Sequence, residues 1–319
     1  MKKKKRKKTN RNSKSISKKI LASVQQLLKA KVVNISEWRN AKIAAEDYEK
    51  TVIAGDKLSK LDPVHGVYTY GQNKLSVFVE QLAQLPELSQ LTKAYADAED
   101  EYMPSGPPVS PLTKSYFSCW GFLDLCVGAK RETFCSVTID LCRFFGVDAG
   151  LVGIFEKMYD SRMGFYVHEG SSDKYVFLRE LITNKEIEAI VPSGYHGTKG
   201  EIWFARVMPP PFKSNQFDYY VVFITPYVVG ALKDKYSLLR GTEKGWLEYF
   251  ERNLKKTGHS DEISAYEFLM KYGLNRTYWN EYICLAYVNH QQDMISLAGF
   301  PDIPASLPHS AQGQERFGI

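Results

Sequence analysis

The sequence predicts an α+β fold with N-terminal helices, a central mostly antiparallel sheet of about five strands, and C-terminal helices. Apolar residues recur at helical spacing up to about residue 160, starting with Ile16, Ile20 and Val24. Between residues 163 and 229 the pattern changes to short apolar runs separated by turns rich in Gly, Pro and Ser, which is typical of strands. Helical spacing then returns. This order of elements favours one sheet with helices packed against it.

The helices are predicted from their spacing and their boundary residues. The expected ranges after the first stripe are 34–55, 75–85, 87–101, 110–128, 132–145 and 149–159, and then 232–239, 244–255, 262–272 and 276–291 beyond the sheet. Asp62-Pro63 and His65-Gly66 predict a loop before the helix at 75–85.

The strands are predicted at 163–169, 174–182, 186–191, 201–208 and 218–229, and a closing strand at 294–298. Their short connections favour an antiparallel meander. The strands at 201–208 and 218–229 are apolar on both faces, so we expect them at the centre of the sheet, covered on both sides.

Composition divides the chain into four parts. Residues 1–14 have nothing apolar to bury after Met1 and are predicted to be a disordered basic arm. A helical region follows at 15–101, and the breaker Pro104-Ser105-Gly106-Pro107-Pro108 marks a candidate boundary. We expect an α+β domain at 102–309, with its central sheet at 163–229, and a flexible tail at 310–319.

Charge is distributed unevenly along the chain. The formal net charge is +6, yet 13 of the 42 basic residues precede the first acidic residue, Glu37, which leaves 29 basic against 36 acidic residues in the rest. A mildly acidic body has no general affinity for phosphate backbones, so contact with nucleic acid or another polyanion is expected on the arm. The predicted contact residues are Lys2, Lys3, Lys4, Lys5, Arg6, Lys7, Lys8 and Arg11.

Other partners remain open from the sequence. The body could bind a protein, and the basic amphipathic segment Ile16–Val33 could lie on a membrane surface. No apolar run approaches the roughly 20 residues that span a bilayer, and no apolar segment follows the basic run as in a secretory signal. The expected location is the cytoplasm, or the nucleus if Lys2–Lys8 acts as an import signal.

Five ionisable residues near the sheet are candidate catalytic groups. His168 with Glu169 or Glu201 could perform acid/base chemistry at the sheet's edge, with His196 beside them and Arg206, or alternatively Arg162, holding an anion. A hydrolase is the enzymatic alternative to a non-catalytic interaction protein. Strand parity places Glu201 and Arg206 on opposite faces, which favours a structural role for Arg206 in a buried ion pair. The competing interpretation of the whole set is that Arg and Glu on neighbouring strands pair and orient the sheet.

Ser193–Gly200 contains three glycines and is the best candidate for a binding loop. It lacks contiguous Gly-Lys-Ser/Thr and leads into a strand, which excludes a nucleotide-binding P-loop. A turn that needs glycine at positive φ is the alternative.

The five cysteines predict neither a metal site nor a cofactor. Cys119 and Cys126 are seven residues apart, as are Cys135 and Cys142, and Cys284 is isolated. Seven residues of helix rise about 10.5 Å, too far for a shared tetrahedral metal or a disulfide. We expect small buried thiols in a reduced protein.

Overall fold

The computed structural model describes residues 15–30, 35–102, 111–212, 215–231 and 242–273. The helices are α1 (Ile16–Ala30), α2 (Ile35–Glu49), α3 (Gly55–Leu58), α4 (Pro63–Leu82), α5 (Ser89–Tyr102), α6 (Pro111–Leu123), α7 (Phe134–Phe145), α8 (Ala149–Asp160), α9 (Glu243–Leu254) and α10 (Glu262–Tyr272). The strands are β1 (Met163–Ser172), β2 (Tyr175–Glu180), β3 (Glu186–Ile190), β4 (Glu201–Met208), β5 (Tyr220–Val222) and β6 (Tyr227–Ala231). The predicted arm at 1–14, the helices at 232–239 and 276–291, the strand at 294–298 and the tail at 310–319 lie outside the described residues.

The α+β class is confirmed, and the sheet closes into a small barrel. Its strand order is β1-β2-β3-β5-β4-β6, and β1 also pairs with β4, so five strands form a ring to which β6 is added. All pairings are antiparallel except that of β3 with β5, which is parallel. The predicted meander is therefore wrong. β4 pairs with β1 and not with β3, and β5 lies between β3 and β4 and pairs with both.

The strand predicted at 218–229 is divided into β5 and β6 around Thr225-Pro226. Proline has no N–H to donate to a ladder, so a strand is commonly interrupted there.

Alternation along the strands separates the barrel interior from two outer cores. The interior cluster includes Tyr166, Leu178, Trp203, Val207 and Val222. The outward residues of β1 and β4 pack with β6 and with α6, α9 and α10 in one core, and the outward ends of β3, β4 and β5 pack with α1, α4, α7 and α8 in another. The second core joins residues from both sides of position 102, so helices of the predicted 15–101 region pack directly on the segment that follows. The domain boundary itself stays a prediction.

The loop predicted at Pro63–Gly66 is instead the start of α4. The Asp62 carboxylate accepts hydrogen bonds from the backbone N–H of Val64 (3.0 Å) and His65, and Pro63 occupies the first helical position. Both features favour a helix N-terminus. Caps also define both ends of α7. It begins with a capping box at Thr133 and ends at Gly146, which adopts the left-handed conformation. Among the described helices, none is long and apolar enough to cross a membrane.

Candidate functional site

The structure separates the five candidate catalytic residues into three places. His168, His196 and Glu201 lie at one end of the barrel, beside the loop of residues 193–200, which we call the loop end. Glu169 lies on the outer surface, and Arg206 is buried between the barrel and the helices. The predicted cleft shared by all of them is therefore not formed.

Glu201 organises the loop end. Its Oε2 accepts hydrogen bonds from the Tyr195 hydroxyl (3.0 Å) and the Trp203 Nε1–H (2.8 Å), and its Oε1 accepts one from the Thr198 hydroxyl (2.9 Å). A carboxylate with three such donors is held in place and its lone pairs are largely used. This geometry makes Glu201 an anchor for the loop.

The glycines of the loop adopt the conformations that the turn interpretation predicts. Gly194, Gly197 and Gly200 have φ of +76°, +61° and +93°. A Cβ on Gly197 would lie 2.5 Å from Cζ2 of Trp203, so this glycine also lets the loop lie against the indole. The Gly200 N–H donates to the His168 carbonyl (2.8 Å), which ties the loop to β1.

His168 is buried beneath Trp203, with 1% of its surface exposed and the two ring centroids 4.9 Å apart. Within the described part of the chain, neither imidazole nitrogen has a hydrogen-bond partner. Burial lowers the pKa of His168, and the backbone of His196 and the carboxylates of Glu201 and Glu169 only partly oppose this. The ring is therefore neutral at pH 7 and has no access to a substrate, so it is unsuited to acid/base catalysis in this conformation.

Glu169 is part of a surface ion-pair group. β1 is irregular between His168 and Gly170, and Glu169 lies on the outside, where it accepts from Arg179 of β2 at 3.0 Å. Arg179 also donates to Glu243 of α9 at 2.8 Å. The predicted pairing of Arg and Glu on neighbouring strands is found here, and it links the barrel to α9.

Arg206 is buried, as its structural role requires, but its acid, Asp124, lies in the turn directly after α6 and not on a neighbouring strand. It donates to the Asp124 carboxylate and to the Ser161 carbonyl and hydroxyl, both at 3.0 Å. Lys271 of α10 lies 2.8 Å from the other oxygen of Asp124 and also donates to the carbonyls of Tyr159 and Ser161. Burial lowers the pKa of Lys271, against the opposing effect of Asp124. We call Asp124, Arg206 and Lys271 the buried ion cluster.

The opposite end of the barrel holds polar residues that the sequence did not identify as a group. Glu180 points inward from β2 and binds Arg162 through both oxygens, at 2.6 and 3.2 Å. One feature of the sequence could have identified this group: Glu180 is separated from Val176 and Leu178 by an even number of residues, so its carboxylate faces the interior like these apolar side chains.

One face of the barrel is left uncovered by the described helices. The outward residues of β2 and β3 include Phe177, which is 38% exposed, and the exposed Glu186 and Glu188. At the edge of this face, the Lys174 ammonium lies 5.1 Å from the centres of both the Tyr175 and the Tyr219 rings. The face thus presents aromatic side chains with little net positive charge of its own.

Among the described cysteines, Cys119 and Cys135 are buried; Cys284 lies outside the described residues. Burial raises the pKa of Cys119 to about 11 and that of Cys135 to about 12, so both are protonated thiols at neutral pH. No cluster of three or more His, Cys, Asp or Glu in the described ranges could hold a metal ion.

Comparison of the chain with protein-family models, with curated proteins and with solved structures finds no match.

Proposed function

We propose that the protein is a non-enzymatic nucleic-acid-binding protein, in which the basic residues between Lys2 and Arg11 contact the phosphate backbone and the barrel provides the folded body. A protein partner for the body is compatible with this role. The cytoplasmic location, with the nucleus as alternative, is part of the proposal.

The unequal distribution of charge carries the proposal. The arm residues precede every acidic residue of the chain, so no acid neighbours them in sequence. The body instead directs its cations to carboxylates, as with Arg143, Arg162, Arg179 and Arg206. Attraction to a polyanion is therefore concentrated in the arm.

The start of α1 gives the arm a fixed point of attachment. Ser15, Ile16 and Ser17 are buried; the Ile16 N–H donates to Glu132 and the Ser17 hydroxyl to Asp140, both at 2.7 Å. The apolar face of this helix packs on α7 in the second outer core, which favours a role in anchoring the arm over one at a membrane surface.

The uncovered face of β2 and β3 supports a role for the barrel as well. Small five-stranded barrels of the OB type bind oligonucleotides on the outer face of their second and third strands, through aromatic stacking and backbone contacts. This is an analogy of architecture, and it gains weight only from Phe177 and Tyr175, which alternate with the inward residues of β2; Lys174 at the edge of the face is already paired with Asp62 at 2.9 Å.

The geometry favours this role over a hydrolase. Within the loop end, His168 is inaccessible and Glu201 already accepts three hydrogen bonds, so these two residues have no free position for a substrate, and the exposed His196 is left without an acid/base partner from this pair.

The experiment measures fluorescence anisotropy of a labelled single-stranded oligonucleotide against the full chain and a variant without residues 1–14. We expect micromolar affinity for the full chain and a log–log salt slope of about −3.5, because each of about five neutralised phosphates of a single strand contributes about −0.7. The truncated protein should lose most of the binding and keep its melting temperature. Equal binding by the two proteins would refute the proposal.

The contribution of the barrel face is tested separately with Phe177→Ser, compared with Phe145→Ser on α7. Both side chains are exposed, at 38% and 57%. Loss of one stacking contact worth about 1 kcal/mol should weaken single-strand binding about fivefold for the first variant only. Equal effects would show that the face takes no part.

A further inference from the structure

A cavity of about 300 Å³ opens at the end of the barrel opposite the loop end. It lies where β1 begins and β2 and β4 end, and Asp160 of α8 and residues of α10 complete its wall. This volume is at the lower limit of typical small-molecule sites. None of the residues in the proposed nucleic-acid contact belongs to it.

The floor of the cavity is rigid and its charges are neutralised. Glu180 is 3% exposed and holds Arg162 through two hydrogen bonds, and it also accepts from the Thr183 hydroxyl at 2.6 Å. Burial alone would lower the pKa of Arg162, but the hydrogen bonds and charge of Glu180 outweigh it and raise the pKa above its ordinary value. Arg162 also reaches Glu267 on the rim at 3.1 Å. A ligand would therefore meet a preformed floor.

Two residues of opposite charge line the cavity from different sides of the ring: Lys185 directly precedes β3, whereas Asp160 lies just before β1, which pairs with neither β3 nor β5. Lys185, in the turn between β2 and β3, makes no ion pair with any described carboxylate, and its ammonium lies 5.0 Å from the centre of the Tyr220 ring. Asp160 likewise has no cationic partner within the described ranges, and Glu267, which accepts from Arg162, also lines the cavity. The apolar part of the wall consists of Ile187, Val207, Pro209 and Ile263.

This distribution selects a class of ligand. A simple anion attracted by Lys185 would also face Asp160 and Glu267, and a simple amine attracted by Asp160 would face Lys185. A molecule with both charges meets a complementary group on each side and places its carbon skeleton on the apolar wall. We propose that the cavity binds a small zwitterion of the amino-acid class, with its carboxylate at Lys185 and its ammonium at Asp160.

The first test is ligand-observed saturation-transfer NMR of the full chain with the twenty common amino acids at millimolar concentration. At least one should bind, and calorimetry should give its affinity. The N-acetylated acid and the decarboxylated amine of the same compound should each bind at least tenfold more weakly. Absence of binding by all twenty, or equal binding of either analogue, would overturn the proposal.

The second test locates the site. Lys185→Gln and Asp160→Asn should each reduce the affinity at least tenfold, whereas Lys157→Gln, an exposed change one turn before Asp160 on α8, should not. All three side chains are exposed, so the melting temperatures should match the wild type. Unchanged affinity in the first two variants would refute the assignment. Deletion of residues 1–14 should leave amino-acid binding intact, which separates this proposal from the nucleic-acid one.

Discussion

Replacing Arg206 with methionine should lower the free energy of unfolding by about 3 kcal/mol. Removing one partner of a buried ion pair costs about 3–5 kcal/mol, because the remaining charge is left without compensation. Here Arg206 is 1% exposed, but Asp124 would keep Lys271 at 2.8 Å, which places the expected cost at the lower end of that range. The Ser161 carbonyl and hydroxyl would each lose one donor as well.

Lys271→Met should cost less, about 1 kcal/mol, because the cluster contains two cations and one carboxylate and would keep the Arg206–Asp124 pair. Asp124→Leu should cost the most, since it leaves both cations buried. If Arg206 and Asp124 act as a pair, the double variant should be less destabilised than the sum of the single variants by at least about 1 kcal/mol.

The measurement is chemical denaturation at pH 7, with melting curves as a second readout, where about 3 kcal/mol corresponds to a decrease of roughly 6 °C for a chain of this size. A variant Arg206→Met that unfolds like the wild type would refute the buried-pair reasoning. So would additive effects of Arg206→Met and Asp124→Leu.

Three further predictions concern individual positions. The folded-state pKa of His168 lies below its unfolded value of about 6.5, so the unfolded chain binds more protons below that pH. The free energy of unfolding should therefore fall as the pH drops below about 6.5. His168→Phe should flatten this dependence in denaturation curves between about pH 5 and 7. Gly197→Ala should destabilise the fold by about 2–4 kcal/mol, because it combines a φ of +61° with a Cβ placed 2.5 Å from Trp203. Gly194→Ala, with φ +76° and open space around the Cβ, should cost only about 1 kcal/mol. Equal melting temperatures of the two variants would contradict the packing argument. Thr133→Ala should cost about 1 kcal/mol through loss of the α7 cap, and Thr133→Ser should restore most of it in the same melting assay.

Local signals in the sequence predicted the elements well. The helix Glu262–Tyr272 and the strand Glu201–Met208 have the bounds that apolar spacing and turn residues indicated. α4 was missed over its first three turns because Asp62-Pro63 is equally compatible with a turn and with a helix N-terminus, and the following His65-Gly66 favoured the turn.

Pairings between distant segments could not be predicted. The parallel contact of β3 with β5 depends on residues about thirty positions apart meeting in space, which no local pattern encodes. Likewise, Arg206 pairs with Asp124, which is 82 residues away in the sequence. The alternation of side chains along β4 indicated only that the arginine would be buried with an acid, and not which acid. The sequence predicts His168 at the sheet's edge, and its burial could not be foreseen: it continues the inward alternation of Tyr166 and is covered by Trp203.

The ring is closed by its shortest strand, and this has a consequence for synthesis of the chain. When residue 208 has emerged, β3-β2-β1-β4 can already form an open sheet, whose two edge strands stay unpaired until β5 at 220–222 joins them. Exposed edges of this kind readily pair with other chains. Nascent or truncated chains ending between residues 208 and 220 should therefore self-associate. Self-association should decrease in two steps as the chain is extended, because β5 pairs only with Ala189-Ile190 and Val207-Met208, and the open edge of β4 at residues 201–204 stays unpaired until β6 at 227–231 has been made.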